Sequence, residues 1–419
     1  MVVNVAARAR AIELAESVLH RGRAGLEELV ADLVAIDSQI PPHADEREIV
    51  RFVSDVALRL GLPLGEVVSL DSTRPNLLIR IPGVGDGPTL VLNGHLDTKP
   101  VGDARDLWRT PPLAATRVGA NLFGLGISDM KAAVACMLYA AHAVISSGCA
   151  LNGNLILAFV ADEEAGATYG SRFVAPLLAG VADACLIGEP SGWERDWQGM
   201  HLVSRGLCAF QVHVQGTQMH SSLSDRMPSV NANIEMAKLI VRLKGDFDEA
   251  FPLHDPAPTL NVAVTTKGGV FYGVVPGDAT FGCDLRTVPG MTQAEVHAFF
   301  DGWARDRSLD AGGASVRIEY DDVLNWLPSS EISATSDLVS AVVAASAAVL
   351  GEAPPASVFP GATDAPWFDA AGIPTLPSFG PGILTYCHGP NEFVRVEAIH
   401  QASRIYARTV LDYCGLEAT

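Results

Sequence analysis

The sequence predicts an α/β fold: a largely parallel sheet flanked by helices, interrupted by a smaller α+β domain of antiparallel sheet plus two helices. Three observations carry this. Up to about Val203, short apolar runs bounded by Gly, Pro and Asn alternate with stretches of helical periodicity, as strands joined by crossover helices do. Beyond Val203 the runs alternate apolar and polar, so each strand has one solvated face, as in an antiparallel sheet. From about Asn325 the first texture returns. Residues 1–203 and 323–419 therefore make one discontinuous domain, and 204–322 an insertion within it.

The elements follow in order. Helical spacing runs through Ala6–His20, Gly25–Ile36 (stripe Leu26, Leu29, Val30, Leu33) and Glu46–Leu60 (stripe Val50, Val53, Val56, Leu60). Asn76–Ile81, Thr89–Leu92, Leu155–Val160 and Ala184–Ile187 are apolar on both faces and suit central strands of the parallel sheet. Lys131–Ser146 and Ser171–Ala179 are the crossover helices between them. In the insertion, Cys208–Gln215, Thr259–Thr265, Ala279–Leu285 and Ser315–Tyr320 alternate, with helices near Val230–Leu243 and Thr292–Ala304 to cover one face. A helix at Ser336–Leu350, a strand at Ser357–Phe359 and a helix from Val396 to Cys414 complete the first domain.

Composition excludes several function classes. A net charge of -19, from 29 Lys plus Arg against 48 Asp plus Glu, opposes binding to nucleic-acid phosphates and to anionic membrane surfaces. No apolar stretch is long enough to span a bilayer, and the N-terminal stretch carries Arg8, Arg10, Glu13 and Glu16 where a signal peptide needs an apolar core. Seven scattered cysteines without a C-x-x-C pair read as reduced thiols, so a cytoplasmic location is expected.

Acidic and His residues sit where strands end. Thr89–Leu92 runs into Asn93-Gly94-His95-Leu96-Asp97, Leu155–Val160 into Ala161-Asp162-Glu163-Glu164, and Ala184–Ile187 into Gly188-Glu189-Pro190. Ligands of open parallel sheets bind beyond the carboxyl ends of the strands, so three strands deliver such groups to one edge. Asp129 follows Gly124-Leu125-Gly126-Ile127-Ser128 and precedes a long helix; His388 lies in a Gly/Pro-rich loop. Singly each has a plain reading: a loop histidine, a helix N-cap or first-turn acid, a solvated acidic doublet, a turn residue. Together, two His and three carboxylates form a suitable ligand set for a pair of divalent ions, zinc first, with manganese or cobalt also admitted.

Gly94-His95-Leu96-Asp97, Gly126-Ile127-Ser128-Asp129-Met130-Lys131, Asp162-Glu163-Glu164-Ala165-Gly166, Gly188-Glu189-Pro190 and His388-Gly-Pro-Asn-Glu392 occur in one order across most of the chain. In them the chain resembles the dinuclear-zinc amidohydrolase and exopeptidase family that includes acetylornithine deacetylase, succinyl-diaminopimelate desuccinylase, aminoacylase and glutamate carboxypeptidase. The resemblance implies that His95 and Glu189 hold one metal, Glu164 and His388 the other, with Asp129 bridging. It implies that Asp97 orients His95, and that Glu163 is the general base, moving a proton from a metal-bridged water to the leaving nitrogen. The insertion becomes a lid and homodimerisation domain. In it, His220 of Gly216-Thr-Gln-Met-His220-Ser-Ser would reach across a dimer interface to the scissile group's oxygen. Arg286 of Asp284-Leu285-Arg286 would bind a substrate carboxylate, although an ion pair with Asp284 is an equal reading.

Departures from the family pattern narrow the substrate. Phe271-Tyr272-Gly273-Val274-Val275-Pro276 lacks the usual lid Asn. The loop Gly361-Ala362-Thr363-Asp364-Ala365-Pro366 resembles the desuccinylase loop but has Pro366 in place of an Arg, and the Arg-Arg-Gly step is reduced to Ser204-Arg205-Gly206. Each change removes a polar or cationic group, which argues against succinyl-diaminopimelate. Tyr272, with Trp193, Trp197 and Trp367 in nearby loops, hints at a flatter substrate, with Gly361 and Tyr272 as contact positions. The expected activity is metal-dependent hydrolysis of a non-peptide C–N bond in a small carboxylate-bearing molecule. The alternatives are an exopeptidase or dipeptidase on the same scaffold, or a non-catalytic binding member that would have no need of Glu163.

Overall fold

The computed structural model describes residues 5–252, 255–310 and 313–417. The chain divides into two compact units, one of Met1–Ser204, Glu331–Phe359 and Thr363–Thr419, the other of Arg205–Ser330 and Pro360–Ala362.

The first unit is built on a six-stranded sheet in the order Glu66–Val68, Asn76–Ile81, Leu155–Val160, Leu90–His95, Ala184–Ile187, Thr375–Leu376. The last four strands are mutually parallel. Asn76–Ile81 is antiparallel to both its neighbours, a correction to its expected place among the parallel strands. Its unbroken apolar run reported burial on two faces, which any interior strand has, and said nothing about direction. Successive side chains alternate between two cores. Leu77, Ile79, Leu92, Leu157 and Phe159 face the helices Val5–Arg21, Arg23–Ala35, Ala132–Ser146 and Val396–Tyr413. Leu78, Val91, Ile156, Ala158 and Val160 face the helices Ser171–Leu178 and Ala365–Ala370.

The strand expected to stop at Leu92 continues to His95. Asn93 and Gly94 look like breakers, yet Asn93 is fully buried and donates its side-chain amide to the Ala158 carbonyl at 3.1 Å. A Cβ at Gly94 would meet the Met130 methyl at 2.9 Å and a Val134 methyl at 3.1 Å, so glycine lets the strand run on beneath that loop without displacing either.

The second unit is a four-stranded antiparallel sheet in the order Thr259–Gly268, Asp278–Arg286, Cys208–Gln215, Ser315–Tyr320. Phe210, Val212, Phe281 and Leu285 pack against Leu243, Phe247 and Phe300 of the two covering helices, Ala232–Ala250 and Gln293–Asp310. Phe210 and Phe300 ring centroids lie 4.2 Å apart. Both helices outrun their expected ends at Leu243 and Ala304; in the first, Phe247 extends the buried stripe of Leu239 and Leu243 by one more turn. Arg242–Asp246 at 3.1 Å and Lys244–Asp248 at 2.8 Å support the same turns as i,i+4 pairs. Ser308 Oγ, bonded to the Ala304 and Val316 carbonyls at 3.0 Å, ties down the second.

Candidate metal centre

Register brings the first groups together. His95 is the last residue of its strand and pairs with Val160, so Asp162-Glu163-Glu164 begins two residues beyond it on the adjacent strand. On the other side Asn93 pairs with Ile187, which sets Glu189 level with His95. Gly188 is needed between them: a Cβ there would stand 2.8 Å from the Ala133 methyl and 2.6 Å from the Met137 methyl. Asp129 arrives from a different element, a wide turn over Ile127–Lys131 ahead of the Ala132–Ser146 helix, not as that helix's N-cap. Gly126 opens this turn at φ 67°, a left-handed conformation that glycine adopts without strain.

Asp129 lies at the middle of the cluster. Its Oδ1 is 2.8 Å from His95 Nε2 and its Oδ2 is 3.1 Å from His388 Nε2. Glu189 Oε1 lies 3.4 Å from the same His95 nitrogen, and Glu164 Oε1 lies 2.9 Å from the same His388 nitrogen. Ligand atoms of His95, Asp129 and Glu164, and of His95, Glu163 and Glu189, fall within 4.8 Å of one another. Two imidazole nitrogens and a set of carboxylates, with one carboxylate spanning both imidazoles, is donor chemistry that fits divalent cations such as zinc.

The contact between Asp97 and His95 differs in detail from the one expected. His95 Nδ1 meets the Asp97 carbonyl at 3.0 Å, while the Asp97 carboxylate is 3.7 Å away. That carboxylate instead accepts the backbone N–H groups of Glu163 at 3.2 Å and Glu164 at 3.0 Å. It therefore ties the acidic doublet to the His95 segment.

Several groups around the cluster, most of them buried, were not singled out in the sequence. Glu392 accepts the backbone N–H groups of Gly126, Ser128 and Asp129 at 2.8–3.1 Å and so shapes the Asp129 turn. Arg74 forms two 2.6 Å hydrogen bonds to Glu46 and lies 3.0 Å from Asp162, with all three side chains no more than 7% exposed. This triad fixes Asp162, at φ 66°, immediately before Glu163. Lys99 Nζ lies 3.0 Å from Glu164 Oε2. Asp364 is buried with one carboxylate oxygen lacking a hydrogen-bond partner, and burial pushes its carboxyl up to about 6. Position could have suggested Glu392 and Lys99, which stand in or beside the quoted segments. Nothing local marks Arg74 or Glu46.

The cations and anions of the cluster shift one another. Burial opposes a charge on His388, but hydrogen bonds to Asp129 and Glu164 outweigh it and raise it to about 11. His95 is likewise raised well above the usual imidazole range, against its burial, by Asp129 and Glu189. Burial would raise Asp129, yet the two histidines hold it well below the ordinary carboxylate range. Glu189 is pushed up to about 8 by burial and by the Asp129 charge, and Glu163 is raised well above its usual value, chiefly by burial.

The remaining candidate residues belong to the second unit. His220 Nδ1 accepts the Ser222 backbone N–H at 3.2 Å, and the Ser222 hydroxyl is 2.8 Å from the same nitrogen. Arg286 is bidentate to Asp284 at 2.8 and 2.9 Å, the ion pair weighed above. Tyr272 is 92% exposed at a hairpin tip, and Gly361 falls in the 360–362 segment. Of the tryptophans, Trp193 packs on His201, Trp197 on Phe379, and Trp367 beneath Arg172.

Comparison with known proteins bears on this cluster. Residues 91–412 match the model of peptidase family M20/M25/M40. The succinyl-diaminopimelate desuccinylase of Dinoroseobacter shibae is 30% identical over 342 residues, which cover 81% of this chain and 87% of that one. The acetylornithine deacetylase of Myxococcus xanthus is 29% identical, covering 81% and 84% of the two chains. Among solved structures, an M20 metallo-carboxypeptidase from Sulfolobus solfataricus superposes with a TM-score of 0.75 over 93% of this chain and 99% of that one, at 18% identity.

Proposed function

The chain belongs to peptidase family M20/M25/M40, and on that premise we propose that it hydrolyses the amide bond of a small N-acylated, carboxylate-bearing substrate. The observation that carries the reading is Asp129, with one oxygen on each histidine of the cluster. In this proposal His95 and Glu189 hold one divalent cation, His388 and Glu164 the other, and Asp129 spans them. Zinc is the first candidate, with manganese and cobalt next. Bound cations would supply an acidified water and stabilisation of the oxyanion.

The chain's own groups do the rest. Glu163, whose backbone N–H is held by Asp97, takes the proton from the attacking water and returns it to the leaving nitrogen. Asp97 and Glu392 keep the two acidic segments in register. His220, Arg286, Tyr272 and Gly361 are proposed for substrate contacts, with residues 204–322 as the lid. The names of the curated relatives favour acyl-group removal over peptide cleavage, and likeness to a carboxypeptidase at 18% identity speaks only to the fold. A panel of N-acyl amino acids, dipeptides and aromatic amides, assayed with added zinc or manganese, tests this. Release of acyl groups is expected; amino-acid release from dipeptides alone would overturn it.

Metal uptake should also displace protons. Hydrogen bonds to carboxylates raise His388 to about 11 and His95 well above the usual imidazole range without a cation, and a ligand nitrogen must be free of its proton. Calorimetry in buffers of different ionisation enthalpy is expected to show net proton release on metal binding, with affinity rising as pH rises. Proton-neutral binding at pH 7 would contradict this ligand set.

We further read the second unit as a homodimerisation surface. Ile234 and Val241 on the Ala232–Ala250 helix are 54% and 84% exposed, and Val270, Phe271 and Tyr272 are 65–92% exposed. Apolar surface of this kind calls for a partner, and a second copy is the simplest. A sedimentation mass of a single chain would contradict it. All seven cysteines are free, which supports a reducing, cytoplasmic setting. Among the described residues no helix is long and apolar enough to cross a membrane.

A further inference from the structure

We propose that Lys99 makes the two cation positions unequal, weakening the one between Glu164, His388 and Asp129. This rests on the dinuclear reading above and concerns a residue that the reading does not use.

Lys99 stands two residues beyond Asp97, on the loop leaving the strand that ends at His95. Its ammonium lies 3.0 Å from Glu164 Oε2 and also donates to the Glu164 carbonyl. The other carboxylate oxygen, Oε1, faces His388. Glu164 is thus divided between an imidazole and a permanent cation. Its side chain is 4% exposed and that of Lys99 35%, so the ammonium caps the cluster from its solvent margin.

The opposite side is built differently. Glu189 pairs with His95, and among the described residues no Lys or Arg contacts Glu189. His95 is 1% exposed at its side chain, whereas His388 is 46% exposed. One position is therefore closed, with no ammonium or guanidinium on its carboxylate among the described residues, while the other is open and carries a fixed positive charge on one of its ligands.

Two consequences follow for a divalent cation entering beside Glu164. Lys99 occupies the oxygen that would allow bidentate coordination, so Glu164 offers one donor atom. The ammonium also repels the incoming cation across a few ångströms of partly desolvated space, where charges are weakly screened. The His95–Glu189 position should fill first, and the Glu164–His388 position should fill later and empty sooner. Occupancy of the second position, and with it turnover, would then follow the free metal concentration.

The test is calorimetric titration of metal-stripped full-length protein with zinc, for wild type, Lys99→Met and Lys99→Arg. Wild type is expected to show two classes differing at least about tenfold in affinity. Lys99→Met should tighten the weaker class by about tenfold and leave the tighter within about twofold; Lys99→Arg should keep the wild-type split. Lys99→Gln, with its own shorter polar side chain, is titrated alongside in case the Met variant does not fold. Equal affinities in wild type, or a split that neither neutral variant narrows, would overturn the role of Lys99. No zinc uptake by wild type would overturn the dinuclear reading itself, and this inference with it.

Discussion

Glu163→Gln is expected to keep its metal while losing turnover by about 10²–10⁴-fold, the range of a positioned general base. Gln matches Glu in size, and the backbone N–H that anchors this residue to Asp97 at 3.2 Å is untouched. The difference lies in the proton: an amide cannot take one from water and return it to nitrogen. Stability should move the other way. Burial, reinforced by Glu189, Asp364 and Glu164 against the opposing effect of His95, raises Glu163 well above its ordinary value. An acid raised on folding costs stability at every pH above its unfolded value near 4.3. In metal-free protein at pH 7, Glu163→Gln should therefore melt higher than wild type, the pattern of a group kept for function. Elemental analysis, kcat and a melting curve check the three parts. Turnover within about threefold of wild type would refute the general-base role.

Arg74→Met should have the largest effect on stability, a loss of about 3–5 kcal/mol by urea denaturation. The substitution leaves Glu46 and Asp162, no more than 3% exposed, without their shared cation. Uncompensated buried carboxylates cost more than the missing attraction, because neither can return to water. Arg74→Met combined with Glu46→Met should recover part of the loss by removing one of the stranded charges. Asp162 precedes Glu163, so activity should fall together with stability in the single variant. A destabilisation below about 1 kcal/mol would mean that the triad is better solvated than its burial indicates.

The fold was legible because its strands are defined by burial, and burial is written in residue type. Leu155–Val160 and Ala184–Ile187 begin and end where their apolar runs do. Direction is not written there, and Asn76–Ile81 runs antiparallel although it has the same composition. Helix ends were also hidden, since beyond Leu243 a single Phe247 extends the apolar stripe among polar residues, and the pairs Arg242–Asp246 and Lys244–Asp248 support those turns. Of the site, the strand-end groups His95, Glu163, Glu164 and Glu189 follow from where strands stop. Asp129 and His388 come from a turn and a loop; residue chemistry made them candidates for the ligand set, and their particular places in it came from the family resemblance. The supporting contacts were out of reach. Glu392 meets its three backbone N–H groups across more than 260 residues of chain, and Arg74 finds Glu46 only after 28 and Asp162 only through the fold. Such partners are set by packing and leave no local periodicity.

The most direct measurement is an anomalous difference map from a crystal of zinc-loaded protein, recorded at the zinc edge. The account predicts two peaks, one between His95, Asp129 and Glu189 and one between Asp129, Glu164 and His388. A single peak away from Asp129, or none within this cluster, would contradict it.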